Sequence, residues 1–148
     1  MVLFGGNKLH VAVLVDLASG QKKKVEDLRK SDLLQKGHVF SADTYAGQVE
    51  ADIEDVVGAD LYVELVNACY GLSGQQVASA PTANSRVLKH IEEHFRTLPN
   101  TVPEFDHYSP SAYLVEHRSA FFKGKKKMLA DALDRFEKLF TDLNGLLK

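Results

Sequence analysis

The sequence predicts an α/β domain with a parallel sheet, flanking helices and a helical C-terminal tail. Two observations predict this class. Segment 9–15 is an apolar run interrupted only by His10, which is typical of a strand buried on both faces of a parallel sheet. A helical pattern over 21–34, stopped by Gly37, then separates it from a second strand over 38–41. Strand, helix, strand is the βαβ order of α/β proteins.

The composition indicates one globular domain and excludes several other classes. The chain has 148 residues, of which 45% are hydrophobic and 26% are charged, and this apolar content is too high for a disordered chain. No apolar run reaches the roughly 18–20 residues that a membrane span needs, so we expect no membrane partner. A net charge of −2 does not favour a surface that binds nucleic acid everywhere. Because Cys69 is the single cysteine, a cytoplasmic location is expected.

The rest of the chain is predicted to be mainly helical. Residues 1–72 are expected to form the α/β core, and residues 73–148 a helical extension packed on the same domain. The further elements predicted in order are a loop over 42–60, a helix from Asp60 to about 70 that stops at Gly71, a loop over 73–84, a helix over 86–96, a helix that starts with Ser109 as cap and Pro110 in the first position, and a last helix with an apolar stripe from Leu129 to Leu147.

Three acidic side chains are the main candidates for chemistry. Asp16 follows the first strand, and Asp52 and Glu54 lie in the loop beyond the second, where side chains two residues apart point the same way when the backbone is extended. Sites in parallel α/β proteins gather at the carboxyl ends of the strands. The three carboxylates would suit Mg²⁺ or Mn²⁺, which could activate water for phosphodiester cleavage.

Two alternatives stay open for these charged residues. An aspartate after a buried strand is often a helix cap, and an acidic loop is often simply solvated. Lys22, Lys23 and Lys24 at the start of the first helix could hold phosphates of a nucleic acid, because cations there oppose the helix dipole and bring no local benefit. A solvated basic face is the other interpretation.

Other chemical signatures are missing from the sequence. No segment matches the phosphate-binding loop of ATPases or a dinucleotide fingerprint, so no ATP site is expected in this chain. His90 and His94 have a spacing that suits zinc, but no third ligand is evident nearby. Cys69 falls on a predicted helix, which gives a nucleophile role little support.

The order of these segments resembles the TOPRIM domain of OLD-family (overcoming-lysogenisation-defect) ATP-dependent endonuclease-like proteins. Residues 13–24 read VLVDLASGQKKK, and residues 51–55 read ADIED. Residues 133–144 read LDRFEKLFTDLN, which is similar to the C-terminal helix of those proteins, and residues 4–7 read FGGN before the first strand. The likeness spans most of the chain and implies a partial TOPRIM-like sheet.

The resemblance also implies a site and a function. It implies that Asp16, Asp52 and Glu54, with Asp55 as a further candidate ligand, help to hold divalent ions for DNA cleavage. The family's catalytic lysine would be sought among residues 125–127. The family's Glu-bearing first strand and its ATPase part are expected to lie outside this sequence, and the second Asp of the usual D-x-D pair is Ala18.

Three functions follow as expectations. The first is a metal-dependent DNA endonuclease domain or fragment that is weak or inactive alone and is completed in a homodimer or by an ATPase-containing partner chain. The second is a non-catalytic module for protein interaction or oligomerisation through an open sheet edge. The third is a nucleic-acid binder that acts through residues 22–24.

Overall fold

A parallel βαβ unit opens the fold. The computed structural model describes residues 11–18, 20–30, 37–78 and 86–146. The two strands pair in parallel with Val13 opposite Val39 and Val15 opposite Ser41, so the predicted α/β class is confirmed. The elements in order are β1 (Val13–Val15), α1 (Lys22–Arg29), β2 (Val39–Ser41), α2 (Ala42–Ala46), α3 (Ile53–Val57), α4 (Ala59–Tyr70), α5 (Val87–Phe95), α6 (Tyr108–Phe121) and α7 (Lys126–Gly145).

Strand β1 is less buried than the sequence predicts. Its apolar run was expected to be covered on both faces, but Leu14 is 36% exposed and Val11, just before the strand, is 52% exposed. The prediction of a strand buried on both faces is therefore wrong. Val25 of α1 packs with Val39 and Leu17 in one small apolar cluster, so the described residues cover one face of this two-stranded sheet. Residues 9 and 10 of the predicted strand, and 31–36 after α1, lie outside the described residues.

The segment 42–60, predicted as a loop, holds two short helices. That prediction is wrong because helices of five residues, α2 and α3, are too short to show an apolar period in the sequence. Gly47 ends α2 in the left-handed conformation. Gly58 separates α3 from α4 with φ at 108°, a conformation that favours glycine, and a Cβ atom there would also force the Arg135 side chain to shift.

The main core forms where α4 packs on α5 and α6. Helix α4 is apolar over most of its surface and contributes five buried residues, while α5 contributes three and Phe121 ends α6 in the same cluster. The buried members from the first two helices are Leu61, Tyr62, Val63, Leu65, Val66, Val87, Leu88 and Ile91.

The predicted helix ends are partly correct. Helix α4 does stop at Gly71, which is left-handed, but Asp60 lies inside its first turn and Gly58 precedes the helix instead. Helix α6 starts at Tyr108, so the prediction of Ser109 as the cap is wrong. The Asp106 carboxylate takes that role, because its Oδ1 accepts the N–H groups of Tyr108 at 2.8 Å and Ser109 at 2.7 Å.

Helix α7 returns to the first half of the chain and packs on α2 and α3. Arg135 donates to the carbonyl oxygens of Val56 at 2.6 Å and Val57 at 2.8 Å, which satisfies the end of α3. The predicted apolar stripe is only partly buried: Leu139 is 3% exposed, whereas Leu133 and Phe140 are each 57% exposed. None of the described helices is both long and apolar enough to cross a membrane.

Candidate functional site

The end of β1 is joined to the segment that precedes α3. Asp16 Oδ1 accepts the backbone N–H of Ile53 at 3.0 Å. The next residue, Leu17, exchanges two backbone hydrogen bonds with Ala51, at 2.8 and 2.9 Å. These contacts hold Asp16 beside the first turn of α3, so residues far apart in the sequence meet at the carboxyl end of the sheet.

Asp52 is buried and fully paired with Arg86. The carboxylate is 1% exposed, and Arg86 Nε donates to its two oxygens at 2.9 and 2.8 Å while Nη2 lies 2.7 Å from Oδ1. Asp52 precedes α3 as its N-cap residue rather than lying in an extended loop. The expectation that Asp52 and Glu54 align through extended backbone is therefore wrong, since Glu54 lies in the first helical turn.

Asp55 is also committed to the fold. Its Oδ2 accepts the N–H of Asp52 at 2.8 Å, in the manner of a capping box, and its Oδ1 accepts the N–H of Val87 at 3.0 Å. Burial raises the pKa of this carboxyl, while hydrogen bonds from Asp52, Val87 and Gln48 oppose the increase. Asp55 thus links the start of α3 to the start of α5.

Glu54 lies closer to the surface than these two acids. Its side chain is 14% exposed, and Oε1 lies 3.6 Å from Nδ1 of His107, just before α6. Burial is the main cause that raises the pKa of Glu54, and the negative charge of Asp52 adds to it, whereas the Glu54 backbone N–H and His107 act in the other direction.

The pKa of Asp16 is raised for the same reasons as the pKa of Glu54. Burial and the charge of Asp52 raise the pKa of its carboxyl, and the Ile53 N–H, Arg86 and His107 oppose that increase. Asp16 and Glu54 are therefore two carboxylates for which ionisation is disfavoured and to which a cation would be attracted. Over the parts of the chain that the structure describes, no three His, Cys, Asp or Glu side chains are grouped so as to hold a metal ion.

The predicted phosphate-binding lysines form the exposed first turns of α1. Lys22, Lys23 and Lys24 are all exposed, and the first turn of the helix contains no acidic residue. Lys22 also lines a small cavity with Arg29, which donates to Ser41 Oγ at 3.1 Å. Glu26 and Asp43 line the same cavity, so the basic surface is limited to the first turn of α1.

Three other sequence candidates have structural partners. His90 and His94 lie within 3.3 and 2.8 Å of the carbonyl oxygens of Ala78 and Gln75, so both rings bind the segment after α4. Lys125, one of the candidate catalytic lysines, pairs with Glu64 at 2.9 Å.

Cys69 has the electrostatics of a structural thiol. It is half-buried on α4, and burial raises the pKa of its thiol, with the charge of Asp106 acting in the same direction. A raised pKa lowers the thiolate fraction that a nucleophile needs. Cys69 therefore shows no sign of activation.

Two residues of the site were missed by the sequence reasoning, Arg86 and His107. Each is near the start of a predicted helix, and neither belongs to a motif. One signal pointed to Arg86: two acids of the ADIED segment require a cation if they are buried, and Arg86 opens the next predicted helix. Nothing in the sequence indicates the contact of His107 with Glu54.

The site as a whole is an acidic turn at the carboxyl end of a short parallel sheet, neutralised on its inner side by one arginine. Comparison with family models, curated proteins and solved structures finds no match to this chain.

Proposed function

We propose that the chain is a TOPRIM-like domain that binds a divalent cation and takes part in phosphodiester cleavage of DNA, with Asp16 and Glu54 as the carboxylates that carry this activity. The observation that supports it most is the 3.0 Å hydrogen bond from the Ile53 N–H to Asp16, because it holds the strand end against the turn that contains Glu54. The sequence resemblance to OLD-family endonuclease-like proteins supports the same proposal.

The free oxygens of the turn suit an open magnesium or manganese site. Both oxygens of Asp52 and both of Asp55 already accept hydrogen bonds, so these residues fit the role of supports rather than ligands. Asp16 retains Oδ2, and Glu54 has its carboxylate near the surface. Mg²⁺ in proteins is often bound by one or two carboxylates and keeps several waters.

The chemistry of such a site divides between the ion and the chain. A bound divalent ion would supply activation of water and neutralisation of charge on the leaving oxygen. Glu54 and Asp16 would hold the ion, His107 would orient the Glu54 carboxylate, and Lys22, Lys23 and Lys24 would attract the phosphates of DNA. Two carboxylates make a weak site, so we expect full activity to need a second copy or an ATPase-containing partner chain.

The experiment is a plasmid-cleavage assay with Mg²⁺ or Mn²⁺, read together with thermal stability. We expect slow nicking by the parent chain and at least about 100-fold less by Asp16→Asn and by Glu54→Gln, since positioning the ion is most of the catalysis. Asp60→Asn, an exposed acid in the first turn of α4, is the matched control and should keep the activity. Equal nicking by all four proteins, or nicking that survives chelation, would overturn the proposal.

Asp52→Ala is a poor test of the same idea. It leaves Arg86 without its partner in a buried setting, so loss of activity would accompany loss of the fold. The two conservative variants avoid this, because asparagine and glutamine keep an acceptor oxygen at the same place.

A second function, an interaction module, is favoured by the exposure of β1. Parallel strands are usually covered on both faces, yet Leu14 is 36% exposed and Val11 is 52% exposed. Among the described residues β1 pairs with β2 alone, and an added strand from a second copy would pair with its other edge. Sedimentation velocity over a wide concentration range would show a dimer that Leu14→Lys abolishes, and a strict monomer would exclude self-association through this edge.

A further inference from the structure

A cleft of about 520 Å³ lies beside the acidic turn, between the end of α5 and the segment that leads to α6. Two aromatic rings on its wall, Phe95 and Phe105, have centroids 5.3 Å apart. Tyr70 of α4 packs against Phe95 in an edge-to-face arrangement at 4.9 Å. The half-buried rings of Phe95 and Phe105 therefore belong to an aromatic cluster that packs against the main core.

The cleft is a consequence of the local sequence. Pro99 and Pro103 have no backbone N–H, so the chain from 97 to 107 runs over the end of α5 without forming a helix or a strand. One turn is closed by the Val102 N–H, which donates to the Pro99 carbonyl at 2.9 Å. The cleft volume of about 520 Å³ falls in the range of sites that hold small organic ligands.

The charges around the cleft are mainly negative. Glu92 and Glu104 line it as carboxylates, and Arg96 is the one arginine or lysine among the lining residues. Neither glutamate forms an ion pair with any residue in the described ranges. The aromatic faces add a negative electrostatic surface of their own. A cation with an apolar body would therefore meet complementary charge on two sides.

The same chain already recognises an ammonium group with this combination. Lys125 places its Nζ 2.9 Å from a carboxylate oxygen of Glu64 and 5.2 Å from the ring centroid of Phe121. One carboxylate and one aromatic face are sufficient to seat that cation. The cleft is lined by two carboxylates, Glu92 and Glu104, and by two aromatic rings, Phe95 and Phe105.

We propose that this cleft binds a small organic cation, namely a protonated amine or a guanidinium group carried on an apolar body. The rings would contact the apolar body, and Glu92 and Glu104 would attract the charged group. The cleft adjoins the proposed metal site, because His107 lines the cleft and also contacts Glu54. Binding of an organic cation in the cleft goes beyond the metal proposal and does not depend on metal binding. A phosphate or carboxylate ligand would meet Arg96 and His107, which already contacts Glu54, and would be repelled by two glutamates.

The test is an NMR titration with three probes of nearly equal shape, in the presence of a chelator. Benzylamine is cationic, benzyl alcohol is neutral and benzoate is anionic at pH 7.5. We expect all saturable shifts to centre on residues 92–107. Benzylamine should bind roughly three- to tenfold more tightly than benzyl alcohol, the size expected of exposed charge pairs, and benzoate should bind more weakly than both.

Two variants separate charge from shape. Glu92→Gln combined with Glu104→Gln should remove the preference for benzylamine over benzyl alcohol, while Glu137→Gln on the exposed face of α7 should keep it. Phe105→Leu should weaken all three probes together, and circular dichroism checks that it folds. Tighter binding of benzoate, shifts centred elsewhere, or a preference that survives the double variant would overturn the proposal. The result with Asp16→Asn should equal that of the parent chain, which separates this site from the proposed metal site.

Discussion

The inner and outer parts of the acidic turn use the same functional group in opposite ways. On the inner side, Asp52 and Asp55 are 1% and 5% exposed, and every carboxylate oxygen accepts a hydrogen bond. On the outer side, the Ile53 N–H binds one oxygen of Asp16, and the Glu54 carboxylate lies 3.6 Å from His107 and interacts with its own backbone N–H. The same residue type therefore has two roles. The number of hydrogen-bond donors around a carboxylate decides whether it supports the fold or remains free for a ligand.

Arg86 is the reason for this division. It contacts both oxygens of Asp52 through Nε and Nη2, and its charge opposes the raised pKa of Asp16. The buried pair must therefore be kept intact for the outer carboxylates to stay in place. Four variants, at Arg86, Asp55, Glu54 and Asp16, test the division between inner and outer acids.

Arg86→Ala should have the largest effect. It leaves the buried Asp52 carboxylate without its partner, and breaking a buried pair in this way costs about 3–5 kcal/mol of unfolding free energy. Urea unfolding followed by circular dichroism measures it. Arg118→Ala, on the exposed side of α6, is the control and should change the free energy by less than about 0.5 kcal/mol. A similar small change for both would mean that the inner side does not hold the turn.

Asp55→Ala should also lower the stability of the fold. It removes the acceptor for two backbone N–H groups, those of Asp52 and Val87, at a cost of about 1–3 kcal/mol for each buried donor left without a partner. Hydrogen exchange of the Val87 amide is the sharpest readout, and it should accelerate more than amides in the middle of α5. Asp134→Ala on α7 serves for comparison. An unchanged Val87 exchange rate contradicts the role given to Asp55.

Glu54→Gln should act in the opposite direction and raise stability at pH 7. The folded pKa of Glu54 lies above its ordinary value, so the unfolded chain releases this proton first, and stability falls as pH rises through the window between the two values. Because glutamine does not ionise, Glu54→Gln removes this loss, and the free energy of unfolding at pH 7 should rise by up to about 1 kcal/mol. Unfolding measured from pH 4 to 8 should show a flatter profile than in Glu137→Gln. If Glu54→Gln is less stable than the parent chain at pH 7, then Glu54 supports the fold as Asp52 and Asp55 do.

Asp16→Asn should have the smallest effect on stability, within about 0.5 kcal/mol of the parent chain. The asparagine oxygen still accepts the Ile53 N–H, and burial raises the pKa of the aspartate, so loss of its charge should cost little stability. Thermal unfolding at pH 7 checks this. A loss as large as that of Arg86→Ala would mean that the outer acid is also structural.

The sequence predicted the broad arrangement because it depends on local patterns. The parallel βαβ unit, α4 up to Gly71, α5 and α7 are all indicated by apolar spacing and by glycine stops. The helices α2 and α3 were missed because five residues do not complete two turns. The exposure of Leu14 was missed because an apolar run reports the need for burial and not whether a cover is present.

The candidate site was predicted less completely than the fold. Asp16 and the ADIED segment do lie together, as the position of Asp16 after the first strand suggested. Their individual roles depend on Arg86, which reaches Asp52 across more than thirty residues of sequence, and on the contact of His107 with Glu54. Long-range pairing of this kind leaves no local pattern, and so the sequence alone could not divide the four acids into supports and free carboxylates.

The most direct test of the central claim is the binding of Mn²⁺ measured by the electron paramagnetic resonance signal of the free ion. We expect one weak Mn²⁺ site per parent chain, lost in Asp16→Asn and in Glu54→Gln and kept in Asp60→Asn, with all four proteins folded. Absence of binding to the parent chain, or binding that survives both outer-acid variants, would contradict the assignment of Asp16 and Glu54 as the free carboxylates of the turn.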